Sequence, residues 1–311
     1  MAAYWVSAFA GTTGGDRAAV VHSREFGGDD LTLPLRDRDL QRMDGAARVG
    51  VVGRQGATFL ADLYQRSPAK AILPRIDGED CREVVFLNTA GGIAGGDRLH
   101  YTLAAGEGAT ITATTQTAER VYKAIGEPGH VTTRIEARSN ATVEWLPQET
   151  ILFERGRLTR ETHIDMDAAA RVLAMDWLLL GRTASGEVVR TGEIRDNWRI
   201  RRDGRLVWAD SFRLGEDIAA QAARASLLGG CTAIATLVYA AADAEANLDL
   251  ARETLAPLGI EAGATLVNGL LICRFAAELA SDLRRAVITF LRTFRAELGG
   301  FPPGLPRVWA S

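Results

Sequence analysis

Residues 109–146, ATITATTQTAERVYKAIGEPGHVTTRIEARSNATVEWL, carry the clearest signal of the fold in this chain. Three runs within them are short, rich in β-branched residues and partly alternating, which is typical of half-buried strands. The runs are ATITATT (109–115), VTTRIEA (131–137) and ATVEWL (141–146), and the turn-forming sequences GEPG and RSNA separate them. We therefore predict three strands in close succession.

Strand signals continue on the C-terminal side of this segment. In RIRRDGRLVW (199–208), Asp203 and Gly204 join two extended runs, and both residues tolerate the positive φ angles of a type I′ turn. This pattern predicts a β-hairpin. The sequence DAAARVLAMDWLLLG (167–181) fits a helix as well as a strand, but its β-rich neighbours and its final glycine favour a strand.

Two segments near the C-terminus carry the helical period. Residues 244–256 have an apolar stripe, and Asp243 is the predicted N-cap. Residues 282–298 have a second stripe, with Ser281 as the predicted N-cap and Gly299 as the predicted stop. These are the only two helices that the sequence predicts.

The order of these elements indicates the fold class. Because strands follow one another without helices until about residue 243, a parallel sheet built from βαβ units is disfavoured. We predict a mainly β fold, in which residues 46–311 form one strand-rich domain of stacked sheets, β-helix-like or sandwich-like, with two α-helices in its C-terminal third. Residues 1–45 are rich in glycine and aspartate without periodicity, and we predict a loosely ordered N-terminal extension there.

The amino-acid composition reduces the number of function classes that fit this chain. The chain has 311 residues, 47% of them hydrophobic, and a net charge of −3, which together indicate a soluble protein with a sizeable core. Its basic residues are scattered, so the sequence does not indicate nucleic-acid binding. No run approaches the roughly 18 apolar residues of a membrane span, and YWVSAFA (4–10) is too short for an export signal. We therefore predict a cytoplasmic protein that does not bind a membrane.

The cysteines give no sign of a disulfide scaffold or a zinc ribbon. Cys81, Cys231 and Cys273 are odd in number and widely spaced, and the chain has no CxxC motif. All three lie in apolar or strand-like surroundings, so we predict buried, unreactive thiols.

The glycine-rich segment NTAGGIAGGDRLH (88–100) resembles a phosphate-binding loop at first sight. Its glycines fit neither G-x-G-x-x-G nor G-x-x-x-x-G-K-[ST], and Asp97 with Arg98 stands where a P-loop has its lysine and hydroxyl residue. Since an acidic residue there repels phosphate, nucleotide binding is excluded. We interpret the segment as a sharp structural turn held by four glycines and a charged pair. These residues are Gly91, Gly92, Gly95, Gly96, Asp97 and Arg98.

A second glycine-containing segment, GRTASGE (181–187), resembles a nucleophile elbow around Ser185. Thr183 and Glu187 occupy the positions where G-x-S-x-G has glycines, so the motif is not satisfied. The four histidines, His22, His100, His130 and His163, lie in no catalytic signature. A β-rich hydrolase remains an alternative that requires a catalytic cluster around a histidine. The structural interpretation is a turn set by Gly181, Arg182, Ser185 and Gly186.

Metal-ligand spacings such as H-x-x-x-H and HExxH are absent, so the sequence does not predict a tight metal site. Acidic residues do recur inside apolar or glycine-rich segments. They are Asp97, Glu144, Glu149, Asp176 and Glu187. Either these side chains make structural hydrogen bonds at turns, or some of them face a shared interior.

Seven segments in the same order make the chain resemble one family. They are LYQRSPAKAILPR (63–75), NTAGGIAGGDRL (88–99), TTQTAERVYKA (114–124), EWLPQETILF (144–153), GRTASGE (181–187), ATLVNGLLICRF (264–275) and PRVWAS (306–311). Over about residues 50–311 the chain is similar to the urease accessory protein UreD family, called UreH in some bacteria. The N-terminal extension lies outside this resemblance.

The resemblance implies a non-enzymatic assembly factor for nickel urease. Proteins of this kind have a β-dominated fold with two helices and bind the accessory protein UreF. UreF recruits the GTPase UreG, which carries Ni²⁺, and the assembly docks on the urease apoprotein. The resemblance also implies that the metal passes through the UreD-like subunit.

A conduit has to bind its ion weakly and at several points, because an ion held tightly does not leave. Nickel accepts imidazole, carboxylate and water as ligands. We predict that Asp97, Glu149 and Glu187 contribute to a transient nickel path, with His100 and Glu144 as lesser candidates and no tightly bound cofactor. The alternative within the family is a scaffold between UreF and urease that handles no metal. A polar passage lined by carboxylates favours the conduit, whereas dry packing favours the scaffold.

Overall fold

The computed structural model of the protein describes residues 42–74, 82–182, 186–302 and 304–310. Most of the predicted N-terminal extension, along with His22, Cys81 and Ser185, therefore lies outside the described residues. The first described strand begins at Asp44, and the division of the chain at residue 45 stays a prediction.

Within the described ranges, seventeen strands form a seven-stranded sheet and a ten-stranded sheet. The strands are β1 Asp44–Arg54, β2 Ala57–Arg66, β3 Ala69–Ile72, β4 Glu83–Asn88, β5 Arg98–Ala105, β6 Thr110–Thr115, β7 Glu119–Val121, β8 Gly129–Ala137, β9 Thr142–Leu146, β10 Thr150–Leu152, β11 Arg157–Met166, β12 Arg171–Leu180, β13 Thr191–Arg202, β14 Arg205–Asp217, β15 Ala233–Ala240, β16 Glu261–Val267 and β17 Leu270–Ala277. The helices are α1 Ile218–Ala222, α2 Leu248–Leu255 and α3 Ala280–Leu298.

Between β4 and β13, the chain passes back and forth between the two sheets. Strands β4, β6, β9 and β12 lie side by side and parallel in the ten-stranded sheet. Strands β5, β8, β11 and β13 do the same in the seven-stranded sheet. Parallel neighbours usually need a helical crossover, but here the strand in the opposite sheet serves as the crossover. The predicted mainly β fold of stacked sheets is thus confirmed, in a solenoid-like form.

Burial follows the position of each strand in these layers. Strands β8 and β11 alternate between buried and partly exposed residues, because only one face of the seven-stranded sheet meets the core. Strands β9 and β12 are buried on both faces. One hydrophobic cluster fills the space between the sheets, and a second lies between the ten-stranded sheet and helices α2 and α3.

The local strand predictions are confirmed. Strands β6, β8 and β9 match the three runs of the opening segment, and the ambiguous segment at 167–181 forms β12. The predicted hairpin joins β13 to β14, with φ angles of 51° at Asp203 and 75° at Gly204.

Both predicted helices exist, but the predicted N-caps are wrong. The N-cap position of α2 is Asn247, whose side chain makes no capping hydrogen bond. The carboxylate of Asp243 instead accepts a hydrogen bond of 2.6 Å from the hydroxyl of Tyr239. Helix α3 begins after Leu279, so Ser281 lies inside its first turn. The stop at Gly299 is confirmed.

A short third helix, α1, was not predicted. Its N-cap is Asp217, whose carboxylate accepts a hydrogen bond of 2.9 Å from the backbone N–H of Ala220. Over the described ranges, no helix has the length and apolar character needed to cross a bilayer. The thiols of Cys231 and Cys273 are free and buried, as predicted, and burial raises the pKa of Cys273 to about 12.

A buried ion pair fastens α3 to the ten-stranded sheet. Glu144 is fully buried on β9, and its Oε2 lies 2.8 Å from Nη2 of Arg295, which is 4% exposed. The same carboxylate accepts a hydrogen bond from Thr112. Arg295 also donates to the carbonyls of Pro302 and Gly304, so the pair holds the segment after α3 as well.

Replacing Glu144 with leucine is expected to destabilise the protein by about 3–5 kcal/mol, because the guanidinium of Arg295 is left buried without its counter-ion. Chemical denaturation of the purified protein measures this loss. The double variant Glu144→Leu/Arg295→Met removes both charges and is expected to recover part of the stability. A loss below about 1 kcal/mol in the single variant contradicts a structural role for the pair.

Candidate functional site

Asp97 holds the glycine-rich turn at the start of β5. The carboxylate is 4% exposed. Its Oδ1 accepts a hydrogen bond of 2.9 Å from the N–H of Met43, and its Oδ2 accepts one of 2.7 Å from the N–H of Ala94. Both oxygens of Asp97 therefore bind backbone within the described structure.

The glycines allow this turn to pack closely. At Gly92, φ is 158° and a Cβ atom would lie 2.3 Å from the ring of Tyr122 and 2.8 Å from the carbonyl oxygen of Arg120. At Gly96, φ is 80° and a Cβ atom would lie 2.9 Å from the guanidinium of Arg42. Side chains other than hydrogen do not fit at either position without movement of these neighbours.

Glu149 lies just before β10 and points away from the interior between the sheets. Its Oε2 is 3.0 Å from Nη1 of Arg284 on helix α3. Its neighbour Thr150 points in the opposite direction, as successive residues of a strand do, and accepts a hydrogen bond of 3.1 Å from Arg160.

Glu187 closes the loop between β12 and β13. Its Oε2 lies 2.9 Å from Nε of Arg182, and its Oε1 accepts a hydrogen bond of 3.3 Å from the N–H of Glu154. Burial disfavours the charged form, but these hydrogen bonds outweigh it and lower the pKa of Glu187 below its ordinary value. The guanidinium of Arg182 also lies 4.6 Å from the centre of the Phe153 ring.

The two lesser candidates lie in different layers. His100 is on the outer face of the seven-stranded sheet, with 43% of its side chain exposed and its Nε2 3.9 Å from Oδ1 of Asp44. Glu144 faces helix α3, where it pairs with Arg295. The described residues contain no group of three His, Cys, Asp or Glu side chains that could hold a metal ion.

Three small cavities, which share residues in pairs, follow one another between the sheets. The first has a volume of about 60 Å³ and lies next to Asn88 and Gly91. It shares Tyr101, Thr115 and Glu119 with the second, of about 40 Å³. Each volume exceeds what one water molecule needs, which is roughly 10–15 Å³.

The third cavity, of about 30 Å³, shares Arg160 and Asp176 with the second. On its far side it shares Phe212, Ile234 and Arg274, among others, with an open surface groove of about 350 Å³. The three cavities and the groove form a series that crosses the strands, and we call the three cavities the interior line. None of Asp97, His100, Glu144, Glu149 and Glu187 lines it.

Strand register explains which charged groups meet in the third cavity. In the seven-stranded sheet, Arg160 of β11 lies directly beside Asp196 of β13. In the opposite sheet, Asp176 of β12 lies in register with Thr236 of β15, which is in register with Arg274 of β17. The two rows face each other across the interior.

The contacts between these groups are close. Arg160 donates to both oxygens of Asp196, at 3.1 Å and 2.6 Å, and its Nη1 lies 3.4 Å from Oδ1 of Asp176. Asp176 also accepts a hydrogen bond of 2.9 Å from Thr162. Arg274 lies 2.7 Å from Asp210 at the boundary with the groove.

Burial shifts the pKa values of two carboxylates on the interior line, Glu119 and Asp176. It raises the pKa of Glu119 to about 7, against the opposing effect of a 3.2 Å hydrogen bond from Asn88. Burial also raises the pKa of Asp176, and the charge of Arg160 opposes this shift. Strongly shifted carboxyl groups in a cavity are typical of functional sites.

Sequence reasoning singled out Asp176 as an acidic residue in an apolar run but did not select it for the nickel path. It missed Glu119, Arg160 and Asp196. The available signal was strand parity, since Arg160 lies on the same face of β11 as Leu158 and Thr162, and all three residues are buried. Which face of each strand is interior follows only from the layer order.

Replacing Glu119 with glutamine is expected to stabilise the protein by about 2 kcal/mol more at pH 8 than at pH 5. The pKa of Glu119 is raised from 4.5 to about 7 in the folded state. The folded wild type therefore binds more protons than the unfolded chain within this window and loses stability as the pH rises through it, whereas glutamine does not titrate. Chemical denaturation at the two pH values measures the difference.

Glu107→Gln, on an exposed turn, is the matched control for the loss of one carboxylate. An equal effect of Glu119→Gln at both pH values contradicts the prediction.

Comparison with known proteins agrees with the resemblance. The family model described as "UreD urease accessory protein" matches residues 43–310. A urease accessory protein UreD of Xanthobacter autotrophicus is 43% identical over 284 residues, which cover 91% of this chain and 96% of the relative. UreD proteins of Rhizobium etli (44% identity) and a Methylobacterium species (43% identity) align over 86% of this chain and at least 95% of their own lengths. The chain therefore belongs to the UreD family of urease accessory proteins.

Proposed function

We propose that this protein is an assembly factor for nickel urease and that the interior line carries Ni²⁺ through it. The membership of the UreD family supports the role in urease assembly. The observation that supports conduction is the interior line, with Glu119 at one junction and Asp176 at the next.

The groups that line the three cavities are suited to weak, transient binding of Ni²⁺. Carboxylates and waters are acceptable nickel ligands, and the cavities have room for water. The carboxylates are spread along the line rather than gathered into one cage, so an ion finds several weak positions instead of one strong site. Weak binding at successive positions is what conduction requires.

The partners follow from the same proposal. The assembly contains UreF, the GTPase UreG joined through UreF, and the urease apoprotein, in the cytoplasm. Nickel is the cargo, and the protein has no tightly bound cofactor and catalyses no reaction. Nickel enters and leaves at the two ends of the interior line, which are the groove beyond the third cavity and the first cavity next to Asn88.

The two alternative functions, a scaffold without metal and a hydrolase, require different structural features. A scaffold that handles no metal needs no series of cavities with buried carboxylates at their junctions. A hydrolase needs a nucleophile bonded to a histidine, and among the described residues no hydrogen bond joins a serine or cysteine to a histidine. Asp97, Glu149 and Glu187, the positions predicted from the sequence, do not line the interior line and stay candidates for a separate nickel path.

Asp176→Asn is expected to lower the nickel content of co-expressed urease severalfold while complex formation is unchanged, because the amide keeps the shape of the side chain but loses its charge. The experiment co-expresses the full-length variant with UreF, UreG and apo-urease. It measures nickel per urease molecule by metal analysis and complex formation by size-exclusion chromatography.

Asp165→Asn is the matched control, because Asp165 is exposed on β11 outside the interior line. Wild-type nickel content in the Asp176→Asn complex supports the scaffold and rejects conduction along the interior line. The triple alanine variant of Asp97, Glu149 and Glu187 tests the alternative path in the same assay.

A further inference from the structure

Arg160 stands where the second and third cavities meet. It lines both of them together with Asp176. The side chain projects from β11 into the space between the sheets and is 6% exposed. A cation that moves from one cavity to the next has to pass the guanidinium group. A positive charge at this point repels Ni²⁺. A guanidinium group on a nickel path therefore needs a function that offsets this repulsion.

The guanidinium holds its two carboxylates unequally. It binds both oxygens of Asp196, at 3.1 Å and 2.6 Å, in the bidentate geometry that gives the strongest arginine–carboxylate contacts. Its contact with Oδ1 of Asp176 is longer, at 3.4 Å. The other oxygen of Asp176 accepts a hydrogen bond of 2.9 Å from Thr162. Asp196 therefore anchors the guanidinium, whereas Asp176 is held loosely.

Further contacts keep the guanidinium in place if Asp176 changes partner. Nη1 of Arg160 donates to the hydroxyl of Thr150 at 3.1 Å and to the carbonyl of Trp177 at 3.5 Å. Without Asp176, the group still has its bidentate partner and two neutral acceptors. It can therefore release Asp176 without losing all its hydrogen bonds.

We propose that Arg160 is a built-in competitor for Asp176. It neutralises this carboxylate when no metal is near and yields it to a divalent cation while staying bound to Asp196. The proposal rests on the proposed function, because it assigns Arg160 the task of keeping nickel binding on the interior line weak. With Arg160 ionised, the two aspartates and the arginine sum to one negative charge; without it they sum to two, which would trap Ni²⁺.

A second carboxylate–guanidinium pair lies at the outer end of the third cavity. Asp210 lies 2.7 Å from Arg274. Among the described residues that line the third cavity, each of the three carboxylates therefore has a guanidinium partner. The more exposed pair at the groove is the less favourable place to test the idea, because solvent screens it.

The test measures Ni²⁺ binding to the purified full-length protein by isothermal titration calorimetry. Arg160→Met is expected to bind Ni²⁺ at least about tenfold more tightly than the wild type, since a buried positive charge within about 4 Å of the ligand is removed. Arg157→Met is the matched control, because Arg157 lies on the same strand but pairs with Glu193 outside the interior line. Wild-type or weaker affinity in folded Arg160→Met overturns the proposal.

A second variant covers the case in which Arg160→Met does not fold. Arg160→Met/Asp196→Asn removes one charge of each sign and leaves Asp176 without its competitor. It is expected to bind Ni²⁺ more tightly than the wild type, and adding Asp176→Asn is expected to abolish the gain. Wild-type affinity in this folded double variant overturns the proposal.

These experiments distinguish a failure of the proposed nickel conduction from a failure of the proposed competitor role of Arg160. If Asp176→Asn lowers the nickel content of urease but neither Arg160 variant gains affinity, conduction stands and the competitor role is rejected. If the Arg160 variants gain affinity but Asp176→Asn leaves urease fully loaded, the competitor role stands and conduction along the interior line is rejected.

Discussion

Backbone hydrogen bonding between strands of successive turns of the chain is the constraint on which this structure depends. Between β4 and β13, each turn places a strand in each sheet, and each of β6, β8, β9, β11, β12 and β13 pairs in parallel with the strand of the turn before it. This pairing sets the register of these strands and, with it, the side of the sheet on which each of their residues lies. The core between the sheets and the core under α3 are consequences of the same pairing.

Successive residues of a strand face opposite sides of the sheet. The position of each acidic residue along its strand therefore decides whether it faces the other sheet or the helices. On β12, Asp176 has the same parity as Ala174 and Leu178, which belong to the cluster between the sheets. On β9, Glu144 has the parity of Leu146, which belongs to the cluster under the helices. Both are carboxylates in apolar strands, yet one lines the interior line and the other anchors a helix.

The sequence was sufficient for the strands, the hairpin, the fold class and the family. Local patterns determine these features, as in Asp203-Gly204 and the β-branched runs around residue 135. It was not sufficient for the site, because the interior line combines residues of β7, β11, β12 and β13 that only register brings together. The N-cap prediction for α2 failed for a local reason: the carboxylate of Asp243 accepts a hydrogen bond from the hydroxyl of Tyr239, four residues earlier near the end of β15.

The interior line runs across the strands, and this direction has a consequence for how such a protein can change size. Each added turn of chain would lengthen the sheets by one strand spacing, about 4.8 Å. It would extend the row of cavities by the same step without altering their cross-section. The length and the lining of the row are thus separable properties: the number of turns determines how many cavities the row contains, while the few side chains at each junction determine its local width and charge.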